Sequence, residues 1–193
     1  MTEPPAVFAD TNVLVPVLLR NILLEFSQLK LVRLRWSPQV LVELERTWLK
    51  IHSGAGHQKI RERIEAMNRI FPEAQVVPDS DFTAHGALPD PGDLHVLAGA
   101  IGAGCTKIVT FNLKHFPVDQ LALEPVPIEA VHPDDIIVEI LSAKPSQALL
   151  AVTAAHQAFK RPPVSKADFL DQLRRIGLRQ TAELLISHGR KSL

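Results

Sequence analysis

Residues 5–14 read PAVFADTNVL. Residues 7–9 have the make-up of a short buried strand, and the strand ends on an acid, Asp10, followed by Thr11 and Asn12. A strand that runs straight into a carboxylate wastes core space unless the acid has a task at the end of the sheet. The same construction returns at residues 107–116, KIVTFNLKHF, where Thr110 and Asn112 sit at the end of a second apolar strand. Between the two lie residues 37–48, SPQVLVELERTW, which carry Glu43, and residues 88–100, LPDPGDLHVLAGA, with Asp90 and Asp93 just ahead of an Ala-rich helix. Several carboxylates gathered from separate segments make a site for a hard divalent cation, which prefers oxygen ligands and retains water.

The chain between these stretches alternates strand and helix. Ile22, Leu23, Phe26, Leu29 and Leu31 form an apolar stripe that predicts a helix over residues 20–31. VRLRWS alternates apolar and basic, as a half-buried strand does. Ser37 and Pro38 are an N-cap followed by a proline in the first helical position. The helix they open carries Val40, Leu41, Leu44, Trp48 and Ile51 on one side, with both tryptophans at core-like positions. HSGAGH at residues 52–57 breaks the pattern. A helix follows over residues 58–71, then a short strand, AQVVP, at 74–78. Asp93 opens the next helix, which ends near Gly102–Gly104. PVPIEAV at residues 125–131 reads as an edge strand because of its prolines. This order predicts an α/β fold with a mostly parallel central sheet between layers of helices. In such sheets, sites form beyond the carboxyl ends of the strands, where Asp10 and Asn112 fall.

From residue 132 the texture becomes helical. HPDD is a helix start with acids suited to the positive end of the dipole, and Ser165 with Asp168 is a Ser-x-x-acid start for the helix carrying Phe169, Leu170, Leu173 and Ile176. The segment 160–193 is net basic, through Lys160, Arg161, Lys166, Arg174, Arg175, Arg179, Arg190 and Lys191, and is either a solvated surface or an RNA-binding face. The expected division is a domain at residues 1–131 and a helical extension at 132–193.

Composition narrows the function classes. Of 193 residues, 46% are apolar and 22% charged, which suits a globular chain. Lys and Arg balance Asp and Glu at 21 each, so any nucleic-acid surface is local. Cys105 is the only cysteine; no intrachain disulfide is possible, and a buried apolar role in a reducing cytoplasm is expected. MTEPPA has no basic region ahead of an apolar segment, so no signal peptide is expected. No stretch approaches the ~20 apolar residues of a membrane span. The histidines show no zinc-ligand spacing beside Cys105.

Taken in order, strand-Asp-Thr-Asn, helical Glu, Asp opening an Ala-rich helix, and strand-Thr-x-Asn resemble the PIN-domain family of metal-dependent nucleases, and among them the VapC-like toxins of bacterial toxin–antitoxin pairs. FADTNVL, WSPQVLVEL, LPDPGDLHVLAGAI and IVTFNLKHF each echo a family motif, over residues 6–131. The helical tail is similar to one PIN subgroup with a C-terminal extension. The resemblance implies a three-layer PIN-like fold. It also implies an Mg2+- or Mn2+-dependent endoribonuclease that hydrolyses RNA phosphodiesters with metal-activated water, leaving a 5′-phosphate and a 3′-hydroxyl. The implied catalytic set is Asp10, Glu43, Asp93 and Asn112, with Asp10, Asp93, Glu43 and Asp90 as metal ligands. Thr11, Asn12 and Thr110 would orient them, and His115 would touch a phosphate or the leaving oxygen. The implied partners are a small antitoxin protein and a second copy of the chain in a homodimer.

Other readings stand beside these. Asp10 and Asp93 are also good N-caps, and Asp90 beside Pro91 also shapes a turn. Glu43 and Glu45 flank the apolar stripe equally, and only the family motif favours Glu43. His95 reads as an ordinary polar residue of the Asp93 helix. Where relatives carry acids, this chain has Asn112, His115 and Gly92. That departure motivates an alternative, a PIN-like RNA- or partner-binding protein with weakened or absent catalysis. An aspartyl-phosphate phosphatase needs a second acid two residues after the first, where Asn12 stands.

Overall fold

The computed structural model describes residues 3–52, 56–78, 82, 84, 86–160 and 162–191, without the side chains of residues 189–191. The centre of the HSGAGH break and Arg161 lie outside these residues.

Four short strands, β1 (Ala6–Ala9), β2 (Arg33–Arg35), β3 (Lys107–Val109) and β4 (Glu129–Val131), form a parallel sheet in the order β2-β1-β3-β4. All four residues of β1 are buried, as a strand covered on both faces requires. The sequence-based α/β expectation holds, with β4 at an edge. AQVVP does not become a strand. It contributes one parallel bridge, Trp36 to Gln75; Pro72 and Pro78 bracket it, which leaves little room to extend a ladder.

The register sets the site. Ala9 pairs with Val109 on adjacent strands, so the next residues, Asp10 and Thr110, leave the sheet side by side. The Asp10 amide still donates to the Val109 carbonyl at 3.1 Å. A single helical turn, α1 (Thr11–Leu14), follows, and then α2 (Val17–Gln28), which starts about three residues before the predicted helix, after Pro16 at its N-cap, and stops as much earlier, ahead of Lys30 with its left-handed φ of 54°. The α1–α2 corner is tied by Arg20, whose Nη1 donates to the Leu14 carbonyl at 2.9 Å while the guanidinium lies over the Trp48 ring. Burial lowers the Arg20 pKa to about 10.

Helices α3 (Pro38–Ile51) and α4 (His57–Ile70) follow β2. The Ser37 Oγ accepts from the Val40 amide, as its sequence position predicts. Trp36 and Trp48 are buried, so neither ring is open to stack on a base. Ile51, expected on the same side as Trp48, is exposed at the end of α3. A 3-10 turn at Pro91–Asp93 leads into α5 (Leu94–Gly102). Gly99 lets this helix lie directly on β1: a Cβ there would come within 2.4 Å of Phe8 Cζ. Alanine elsewhere in a helix is worth about 1 kcal/mol over glycine. Here the clash in a close-packed core outweighs that gain. Gly99→Ala is therefore expected to destabilise by roughly 1–2 kcal/mol net, read from thermal melts. Phe8→Leu in the same chain should recover part of the loss, and a stabilised single variant would contradict the packing argument.

After the short α6 (Val118–Leu121), the chain ends in α7 (Pro133–Ala143), α8 (Pro145–Gln157), α9 (Lys166–Arg175) and α10 (Arg179–Lys191). α8 packs on α2, and α10 packs on α7 and α9. These helices share one continuous apolar core with the sheet and its flanking helices. The Ser165–Asp168 start forms as expected, with the Asp168 amide donating to Ser165 Oγ at 3.1 Å. Cys105 is buried, and desolvation pushes its thiol up to about 12, so it stays protonated.

Candidate functional site

Three acids from three segments gather beyond the carboxyl ends of β1 and β3. Asp10 is 5% exposed. It stands at the N-cap of α1, but its side chain makes no capping bond. Instead its Oδ2 accepts from Thr110 Oγ at 2.6 Å and from Asn12 Nδ2. Asn12 also donates to Thr110 Oγ at 2.9 Å, and its Oδ1 accepts from the Phe111 amide at 3.0 Å. Asn12 is thus a strap between the two strand ends, and Asp10 is held from both sides. Burial raises the Asp10 pKa above its ordinary value; the Thr110 hydrogen bond works against this, and the negative charges of Asp93 and Glu43 add to it.

Glu43, one helical turn and a half into α3, is engaged at both oxygens. Thr11 Oγ donates to Oε2 at 2.6 Å, and His95 Nε2 lies 2.9 Å from Oε1. Glu45 points elsewhere and pairs with Arg61 Nε at 2.8 Å. The structure therefore turns Glu43 toward Asp10 and sends Glu45 to the α3–α4 face. Asp93 also forgoes the helix cap that its position suggests. Its Oδ2 meets His115 Nδ1 at 2.7 Å. Asp90 does shape the turn, with Oδ1 accepting from the Gly92 amide at 2.8 Å, yet Asp90, Asp93 and His115 each place one ligand atom within 4.8 Å of the others. Among the described residues, this is the group compact enough to surround one ion.

Asn112 contributes differently from what its motif position implies. Its amide donates to Thr110 Oγ at 2.9 Å, while its side chain is exposed and makes no hydrogen bond among the described residues. Thr110 is the residue of that strand end that reaches Asp10. His95 is the residue that sequence reasoning passed over. It lies one turn before Gly99 on α5, and Gly99 faces β1; that i to i+4 relation places His95 on the same face. Its Nδ1 is buried without a partner, so the ring is committed to Glu43 through Nε2.

Beside the site, Phe111 packs edge-on against His132 with ring centroids 5.2 Å apart. Gly177, between α9 and α10, covers both rings with a positive φ of 94°, a backbone that glycine adopts freely. No helix of the described residues is long and apolar enough to cross a membrane.

Comparison with known proteins agrees with this layout. The chain is 40% identical over 81 residues to a Mycobacterium tuberculosis (strain H37Rv) protein named "Putative ribonuclease VapC50", a match that takes in 42% of this chain and 47% of that protein. The matched region thus spans about half the length of that relative. No solved structure gives a significant match. The profile of the VapC50 C-terminal domain matches residues 133–186, and that of the PIN domain matches residues 6–114, more than half of the chain. With the parallel sheet and the acids at its carboxyl edge, this places the chain in the PIN-domain family.

Proposed function

We propose that this chain is an Mg2+- or Mn2+-dependent endoribonuclease acting in the cytoplasm as the toxin of a type II toxin–antitoxin pair. In this reading residues 1–131 are the nuclease and 132–193 a helical extension. A small antitoxin protein restrains the enzyme, and two copies pair as a homodimer. The observation that carries the reading is the gathering of Asp10, Glu43 and Asp93 from three segments at one rim of the sheet, where burial first, and then the charges of Asp93 and Glu43, hold the Asp10 pKa up. Like charges packed at one rim of a sheet cost stability unless a cation joins them.

The donor set suits such an ion. Asp93 and Asp90 belong to the compact group, and Asp10 and Glu43, outside that group, would complete the ligand set. A bound divalent ion supplies Lewis acidity that makes water a nucleophile near neutral pH and offsets charge on the phosphate. The chain's own groups do the positioning. Thr110 and Asn12 fix the rotamer of Asp10. Thr11 and His95 fix that of Glu43, in the manner of outer groups that orient metal ligands. His115 stands over Asp93, at the edge where a phosphate would enter.

The decisive experiment is cleavage of RNA by the purified full chain. Turnover is expected with Mn2+ or Mg2+, is expected to stop with EDTA and to resume when the ion is restored. One feature favours a second reading: the side chain of Asn112 is exposed and supplies no charge where the family resemblance implies an acid. A PIN-like binding protein with lost catalysis would bind RNA or a partner and show no turnover at saturating Mn2+.

A further inference from the structure

We infer that His115 is a nitrogen ligand of the ion held by Asp93, so that Asp90, Asp93 and His115 form a mixed carboxylate–imidazole site that favours Mn2+ over Mg2+. The inference rests on the metal-dependent reading above and refines it. The three side chains offer one ligand atom each, all within 4.8 Å of one another. Donors about 2.1 Å from an octahedral ion lie about 3.0 Å apart when cis and about 4.2 Å apart when trans. The 2.7 Å between His115 Nδ1 and Asp93 Oδ2 is close to the cis spacing, so with the ring proton on Nε2 and a small relaxation the two atoms would serve as ligands of one ion.

Local structure delivers the ring to this place. The 3-10 turn Leu113–His115 is closed by the His115 amide on the Asn112 carbonyl at 2.9 Å. It swings His115 back over α5, while Asn112, the polar residue that ends the strand motif, faces solvent. The opposite side is fixed as well: Asp90 is held by the Gly92 amide, and Asp93 leaves its helix uncapped to meet the imidazole. The donor that this turn brings to the site is therefore nitrogen rather than carboxylate oxygen. Mg2+ accepts oxygen ligands and loses water reluctantly, whereas the first-row divalent ions tolerate a nitrogen donor better, Mn2+ the least of that series. The other imidazole nearby, His95, bonds Glu43 through Nε2 and is not part of this compact group.

The test is Mn2+ binding to the full chain followed by electron paramagnetic resonance, with pulsed detection of 14N coupling, and Mg2+ as competitor. Wild type is expected to bind Mn2+ with one imidazole coupling. His115→Gln is expected to lose the coupling and to bind Mn2+ roughly tenfold more weakly, with an unchanged thermal melt in the absence of metal. His95→Gln is expected to keep the coupling. His115→Asp is expected to bind Mn2+ without the coupling and to narrow the preference for Mn2+ over Mg2+. Mn2+ bound to wild type without 14N coupling, or coupling that survives in His115→Gln, would overturn the assignment and leave the metal-dependent nuclease standing. Absence of any bound Mn2+ would overturn both.

Discussion

Replacing Asp10 with asparagine is expected to remove RNA cleavage by roughly 10³-fold or more, at the same time raising the melting temperature of the metal-free protein. The two effects have one cause. A ligand to a catalytic divalent ion supports several kcal/mol of charge stabilisation in the transition state, and about 4 kcal/mol is a factor of 10³ in rate. Without the ion, the same carboxylate is a buried charge beside Asp93 and Glu43. The folded pKa of Asp10 is raised above 3.8, so its ionised form favours the unfolded chain. The penalty is absent well below pH 3.8, grows as pH rises toward the folded pKa, and is complete above it. Asparagine keeps an oxygen for Thr110 and Asn12 and carries no charge. At neutral pH it should therefore raise the melting temperature of the metal-free chain. Saturating Mn2+ should reverse the order, because ligand binding to the native state stabilises only the chain that binds it. Melts with and without Mn2+, beside a cleavage assay, give both readouts. An asparagine variant that cleaves RNA as wild type does would remove Asp10 from the chemistry.

What the sequence reveals about this site follows the range of the interactions. Asp10 was legible because it directly follows an apolar strand, and parallel strands in register deliver their next residues to the same edge; on the second strand that residue is Thr110, where Asn112 was expected. The α/β class was legible from the alternation of strand and helix. AQVVP was misleading, since its composition suits a strand while the flanking prolines confine it to one bridge. Glu43 and Glu45 are indistinguishable by helical period. Their division depends on what lies across from each, Thr11 and His95 for one and Arg61 for the other. The same holds for His95 and His115. Nothing in their immediate sequence shows that each imidazole meets an acid, because those contacts span 52 and 22 positions. Asp134 is the sharpest case. Its place after His132 and Pro133 marks a helix start, yet its carboxylate serves a different helix.

Replacing Asp134 with alanine is expected to cost about 3 kcal/mol, because its carboxylate accepts two backbone hydrogen bonds and charged bonds of this kind are worth ~1.5–3 kcal/mol each. Its Oδ2 accepts from the Gln180 amide and its Oδ1 from the Thr181 amide, both at 2.8 Å, at the start of α10. A charge near its own helix start would contribute only ~0.3–1 kcal/mol through the dipole. The larger role is therefore the latch on α10, 3% exposed and far from solvent screening. The melting temperature should fall by about 6–12 °C. Asp134→Asn, which keeps one acceptor oxygen, should lose about half as much. Asp135→Ala, at an exposed neighbour whose carboxylate meets, among the described residues, only the Gln180 side chain, should stay within about 0.5 kcal/mol of wild type. The latch also reaches the site. The turn it steadies contains Gly177, which covers Phe111 and His132, and Phe111 lies between Thr110 and Asn112. A loosened α10 should free Phe111 and blur the position of Thr110, so Mn2+ affinity in Asp134→Ala should fall even at temperatures where the chain remains folded. An Asp134→Ala protein that melts within about 1 °C of wild type would show that α10 is held by its apolar face alone.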